Sequence, residues 1–139
     1  MKALSVFYSR AMEGLSFEDI KTDSLYVERI LRKVGIEMTN PFKGKKKVFS
    51  EIKNRTPKQV VMRDLSELAK CDVFLLNCTV PNWNYVGSLC ELMYAYFLRK
   101  YIVVYTAKTG YDNRYWLVYH SNFICRSLNT AVNHILKIR

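Results

Sequence analysis

Asp72-Val73-Phe74-Leu75-Leu76-Asn77-Cys78 is nearly all apolar; it is followed by a turn-rich stretch, Thr79 to Tyr85, and then by Val86-Gly87-Ser88-Leu89-Cys90-Glu91-Leu92-Met93-Tyr94-Ala95-Tyr96. A strand with no polar alternation is expected at the centre of a parallel sheet, where both faces are covered. The second stretch has helical spacing, with Leu89, Leu92, Met93 and Tyr96 as its expected buried face and an end near Arg99. Open α/β sheets bind their ligands outside the carboxyl ends of the strands, where strand passes into helix. Glu91, an acidic residue at that crossing, is therefore the first candidate for a functional side chain.

The flanking sequence repeats the alternation. Ala3 to Tyr8 reads as a first strand and Ser9 to Ser16 as the loop after it. A helix from Asp19 or Thr22 to Lys33 carries an apolar stripe of Leu25, Ile30, Leu31 and Val34, and Gly35 is placed to end it. Ile36 to Met38 gives a weak second strand, and the basic stretch from Thr39 to Arg55 is expected to be mostly loop. Thr56-Pro57 is a helix start, with threonine as the cap and proline at the first helical position. Asp64-Leu65-Ser66-Glu67 has the spacing of a second capping box, which predicts two short helices with a break near Arg63. Beyond the central unit come a strand at Tyr101–Tyr105, a loop from Ala107 to Asn113 and an ambiguous Tyr115–Tyr119. A short strand at Phe123–Cys125 and a helix from Leu128 to Ile138 close the chain. The fold class expected is α/β, a doubly wound sheet of about five parallel strands with helices on both faces, in one domain.

Composition narrows the function. Of 139 residues, 50% are hydrophobic, enough for the core of a single domain. Met1-Lys2 leads straight into Ala3-Leu4-Ser5-Val6-Phe7-Tyr8, too short for the apolar region of a signal peptide. No apolar run approaches the roughly 20 residues that span a bilayer. A cytoplasmic protein without membrane contact is expected. Cys71, Cys78, Cys90 and Cys125 lack CxxC spacing and fall in or beside predicted core elements, so they read as buried free thiols with no metal role. Lys+Arg 22 against Asp+Glu 12 gives a formal charge of +10. That balance favours anionic partners: phosphorylated small molecules, nucleic acid or acidic protein surfaces. The densest run, Lys43-Gly44-Lys45-Lys46-Lys47, reads as a solvated loop or as one that closes over a phosphate. Nucleic acid is disfavoured, because no strand interleaves aromatic and basic residues as an RNA-stacking platform does.

Three features resemble, in order and spacing, the nucleoside 2-deoxyribosyltransferase family, which includes the 2′-deoxynucleoside 5′-monophosphate N-glycosidases. In Asp64-Leu65-x-x-Leu68-x-x-Cys71-Asp72 an aspartate stands eight residues before the one that opens the strand. The apolar strand follows. Gly87-x-x-x-Glu91-Leu92-x-Tyr94-Ala95 then matches the family's glycine-containing loop and Glu-Leu-Gly-Tyr-Ala-like helix start, with Met93 in place of the usual glycine. The resemblance runs from about Asp64 to Tyr105. It implies a flavodoxin-like sheet, a small-molecule nucleoside or nucleotide as substrate, no cofactor, and a homodimer or larger homo-oligomer in which a neighbour completes the sugar pocket. Tyr115, Trp116 and Tyr119 are candidates for that interface or for the core.

By this resemblance Glu91 is the nucleophile that attacks the anomeric carbon and displaces the base. The covalent (deoxy)ribosyl intermediate is then resolved by water or by a second base. A carboxylate in the first helical turn is favoured by the macrodipole, and an anion stabilises the oxocarbenium-like sugar. Asp64 matches the second carboxylate, which assists the leaving base or binds the sugar hydroxyls; with Glu67 it is equally a plausible helix cap. Tyr8, or Phe7 if the match slips by one residue, borders the sugar, and such a slip moves a side chain to the opposite face of a strand. Ser9 and Arg10 stand where the monophosphate-cleaving relatives hold the 5′-phosphate. Position 85, where several members carry Asp or Ser, is Tyr85. Asn82, Trp83 and Asn84 are candidates to recognise the base instead. Gly87 lets a ligand approach the backbone closely, with Ser88 beside it.

Two other functions fit the same residues. Ser88-x-Cys90-Glu91 faintly resembles the catalytic glutamate region of TIR domains, which would make the chain an NAD glycohydrolase acting on the same kind of bond. A non-catalytic nucleotide-binding protein would use the same crevice without chemistry.

Overall fold

In a computed structural model of the chain, residues 3–39 and 55–138 are described; the Lys43–Lys47 run lies outside them. Five strands form one sheet: β1 (Ser5–Arg10), β2 (Glu37–Thr39), β3 (Val73–Asn77), β4 (Tyr101–Tyr105) and β5 (Phe123–Cys125). Their order is β2-β1-β3-β4-β5, and every pairing is parallel. Between and after them lie α1 (Phe17–Lys33), α2 (Pro57–Lys70), α3 (Val86–Phe97), α4 (Tyr115–His120) and α5 (Leu128–Lys137). This is the flavodoxin-like order, in which the chain reverses direction across the sheet between β1 and β3 and leaves a crevice there.

Period-two alternation sorts the strand residues between two cores. Phe7, Phe74, Leu76, Ile102 and Val104 pack against Leu68 of α2, Leu92 and Ala95 of α3, and Leu117 of α4. Val6, Tyr8, Leu75, Val103 and Tyr105 pack against Val27 and Leu31 of α1 and Ala131, Val132 and Ile135 of α5. Helices thus cover both faces, and β3 is buried at every position, which is why its sequence carries no polar alternation.

Local sequence sets the helix ends, in places differently from the expectation. α1 begins at Phe17, earlier than Asp19 or Thr22, because the Ser16 side chain accepts a hydrogen bond from Asp19 N at 3.1 Å. Its buried face is Ile20, Ser24, Val27 and Leu31, whereas Leu25 is exposed. α2 is one continuous helix and not two. Its capping box is Thr56 with Gln59, each side chain bonding the other's backbone N–H at 3.2 and 2.9 Å. Asp64 and Glu67 lie in its interior and cap nothing, so Asp64 is freed from the structural role its spacing suggested. β1 runs two residues further than expected, through Ser9 and Arg10. On α3 the buried residues are Ser88, Leu92 and Ala95, while Leu89 and Tyr96 face outward. Tyr115–His120 is helical. Asp72 caps the lower end of the sheet, accepting from Ser5 N at 3.0 Å and Ser5 Oγ at 3.2 Å.

Candidate active site

The crevice between β1 and β3 holds a cleft of about 430 Å³. Its walls are the end of β1 with the following residues to Glu13, the α2 flank around Val60, Arg63 and Asp64, and the start of α3 from Asn84 to Glu91 and Tyr94. α3 starts where it does because Asn84 Oδ1 accepts from Val86 N at 3.0 Å. Trp83 ties this loop to the loop after β1: its indole N–H donates to Glu13 O at 3.1 Å. Gly14, opposite that indole, has φ +81° and would place a Cβ 3.1 Å from the Trp83 ring. A side chain there would be strained and crowded.

Glu91 is the sixth residue of α3, which begins at Val86 with no acidic residue in its first turn. The helix dipole falls off within the first turn, so it does not hold this carboxylate ionised as the sequence suggested. Burial decides instead. It pushes the Glu91 carboxyl from 4.5 up to about 7, with the nearby Asp64 charge adding to the rise and the hydrogen bond from Ser9 opposing it. That bond runs from Ser9 Oγ to Glu91 Oε1 at 2.8 Å. Ser9 itself is only 3% exposed, so its hydroxyl has a fixed task. The Asp64 carboxyl is also raised, chiefly by burial and further by Glu67, against the pull of Arg63. Two carboxyls with raised pKa values in one cleft are the arrangement that acid–base and nucleophilic chemistry near neutrality requires.

The strand parity separates Tyr8 from this pair. Phe7 and Ser9 share the Glu91 face, and Phe7 stacks on Phe74 with ring centroids 5.9 Å apart. The Tyr8 ring belongs to the opposite core. Its hydroxyl donates to Asp23 Oδ2 at 2.6 Å, accepts from Asn77 Nδ2 at 2.8 Å, and lies 2.7 Å from the Tyr105 hydroxyl. Tyr8 borders the cleft, but its donor and both lone pairs are engaged by the protein and alternation turns its side chain away from Glu91. Arg10, on the same side, has Nη1 2.8 Å from Asp23 Oδ2 and its Nε donating to Ala11 O at 2.9 Å.

The other expected residues divide. Asn84, Gly87 and Ser88 line the cleft; Asn82 and Trp83 are not in its wall. Asn82 is an exposed turn residue with φ 53°. A Cβ on Gly87 would meet nothing within 4 Å, so glycine there leaves open the space that a ligand's approach would use. Tyr85 is buried and its hydroxyl accepts from Val80 N at 3.0 Å. Cys90, expected to be a buried thiol, is exposed and lines the cleft, because α3 turns that position outward. Sequence reasoning missed Arg55, Val60, Arg63 and Tyr94 as wall residues. Val60 precedes Asp64 by one helical turn, a spacing visible once α2 is known to be continuous, and Arg63 is its immediate neighbour in the chain.

No family model matches the sequence, and no curated protein does. Solved structures do. A CMP N-glycosidase from Clostridium botulinum superposes with a TM-score of 0.60 at 17% identity, covering 96% of this chain and 98% of that one. A 2-deoxyribosyltransferase from Bacillus psychrosaccharolyticus gives 0.66 at 17% identity, covering 93% and 90%. A 2-desoxiribosyltransferase from Leishmania mexicana gives 0.69 at 10% identity, covering 96% and 97%. The chain has the 2-deoxyribosyltransferase fold. The flavodoxin-like sheet expected from the sequence is therefore met, over almost the whole length of the neighbours.

Proposed function

We propose that the cleft cleaves the N-glycosidic bond of a nucleoside or nucleoside 5′-monophosphate, by hydrolysis or base exchange, with Glu91 as nucleophile. The observation that carries the reading is the Glu91 carboxyl, half-buried, held by Ser9 and set beside Asp64 at the β1/β3 crevice. The Glu91 carboxylate attacks the anomeric carbon, the carbon–nitrogen bond breaks, and its electron pair leaves with the base, which takes a proton from Asp64. Water or a second base then attacks the same carbon and gives up a proton to the Asp64 carboxylate, the ester to Glu91 breaks, and both carboxyl groups return to their starting states. Burial raises both carboxyls, and it makes the Glu91 anion less stable, hence more nucleophilic. Ser9 holds Oε1 in place, and Phe7 and Gly87 leave an uncharged approach for the sugar.

A second copy of the chain fits the outer face of α3. Apart from Glu91 that helix has no charged residue, and Phe97 is 74% exposed. On α4, Tyr115 and Trp116 are 88% and 77% exposed and Tyr119 lies beside them. A helix that is apolar all round is ordinarily covered, and we read this aromatic face as a homodimer contact. The free thiols suit a reducing cytoplasm, where we place the protein; among the described residues no helix is long and apolar enough to cross a membrane.

The test is base release, followed by chromatography, from ribo- and deoxynucleosides, their 5′-monophosphates and NAD, comparing wild type with Glu91→Ala and Glu91→Gln. Release from one class, lost in both variants, supports the reading and names the substrate. Release from NAD alone moves it to the NAD glycohydrolase. Binding without release from any compound leaves a non-catalytic nucleotide-binding protein.

A further inference from the structure

Three arginines border the cleft, Arg10, Arg55 and Arg63, and they are not equivalent. Arg10 is engaged by the protein. Its side chain is 9% exposed, its Nη1 pairs with Asp23, and its Nε donates to the neighbouring carbonyl of Ala11. The same Asp23 oxygen accepts from Tyr8. Turning Arg10 toward a ligand would strip a partly buried carboxylate of its cation, which is strongly unfavourable. Arg55 and Arg63 differ: among the described residues neither has a hydrogen-bond or ion-pair partner at contact distance, although the Arg63 charge acts on the neighbouring Asp64 carboxyl. Arg55 precedes the cap of α2, Arg63 lies two turns along, and Val60 and Val61 form an apolar wall between them.

The remaining charges in the wall are Glu13, Asp64 and Glu91. A dianionic ligand entering beside three carboxyls needs cations that are not already neutralised, and guanidinium groups offer paired N–H donors suited to phosphate oxygens. At the start of α2 the Thr56 and Gln59 N–H groups are already taken by the capping box. We propose that Arg55 and Arg63, from the α2 wall, read the 5′-phosphate of a nucleoside monophosphate, and that Arg10 does not. This deepens the glycosidic reading of the cleft and rests on it for the nucleoside part of the ligand.

The test is equilibrium binding by calorimetry, without turnover. The four common 2′-deoxynucleosides and their 5′-monophosphates are titrated into the full chain, its Arg55→Gln and Arg63→Gln forms and the double variant, with thermal melts to confirm folding. Wild type is expected to prefer the monophosphate of at least one pair, and that preference falls roughly tenfold or more in each single variant, the loss of a charge-assisted contact. No preference for the monophosphate in wild type, or a preference undiminished in the double variant, overturns the proposal. The two readings separate cleanly. Arginine-dependent monophosphate binding without base release would sink the glycosidase and keep this site; base release from nucleosides regardless of phosphate would sink this site alone.

Discussion

Replacing Glu91 by glutamine should stabilise the protein at alkaline pH and leave it unchanged at acid pH. Burial raises the carboxyl from 4.5 to about 7 in the folded chain. Between those values the folded state binds more protons at this site than the unfolded state, so the contribution of Glu91 to stability falls as pH rises. Below about pH 4 the side chain is protonated in both states, and the variant and wild type should match. By about pH 8 the full difference is expressed, on the order of 3 kcal/mol. Glutamine copies the protonated carboxyl in shape, and its Oε1 can still accept from Ser9, which donates at 2.8 Å in wild type. Urea unfolding of both proteins at a series of pH values measures the gap, and all other titrating groups cancel in the difference. The expected curve is flat and near zero at low pH, rising through pH 5 to 7 in favour of the variant. A gap independent of pH, or one favouring wild type at pH 8, would refute the claim that burial governs this carboxyl.

Other consequences follow from the same contacts. If base release occurs, its kcat/KM should rise with pH through a limb near 7, the raised value of Glu91. Ser9→Ala, by removing the hydrogen bond that favours the ionised form, should move that limb to higher pH; a limb that stays put would mean another group titrates. Tyr8→Phe should cost about 1–3 kcal/mol in urea unfolding, since Asn77, Tyr105 and Asp23 lose their common partner; a change under about 0.5 kcal/mol would mean that the network is not formed. Leu68→Ala, at a site with 0% exposure between α2 and the sheet, should cost about 2–5 kcal/mol. Trp116→Glu should shift sedimentation from dimer to monomer if α3 and α4 form the contact, and an unchanged species would place the interface elsewhere.

The sheet was legible because its central strand is buried on both faces, and burial of that kind leaves an unbroken apolar run at Val73–Asn77. The helix ends were read from side chains that bond locally: Thr56 with Pro57 marks α2 unambiguously. Asp64 and Glu67 misled because capping spacing is local, while Leu65 and Leu68 anchor the same turn to the core and carry the helix through. Glu91 was found from its position after a strand, yet it was placed in the first turn of a helix whose start at Val86 was read correctly, five residues before it. Ser9, one step of alternation from Tyr8, is the residue that bonds Glu91, and nothing within Ala3–Tyr8 says which face meets α3. The exposed rings of α4 were ambiguous for a different reason: helical spacing of aromatics looks the same whether the face meets this chain's core or another chain.

The most direct measurement is mass spectrometry of the protein quenched in acid during turnover of a substrate found in the base-release panel, followed by peptide mapping. A pentosyl adduct carried by Glu91, absent from Glu91→Gln and lost as product forms, is the expected result. Base release with no adduct at any time, or an adduct on a different residue, would contradict Glu91 as the nucleophile.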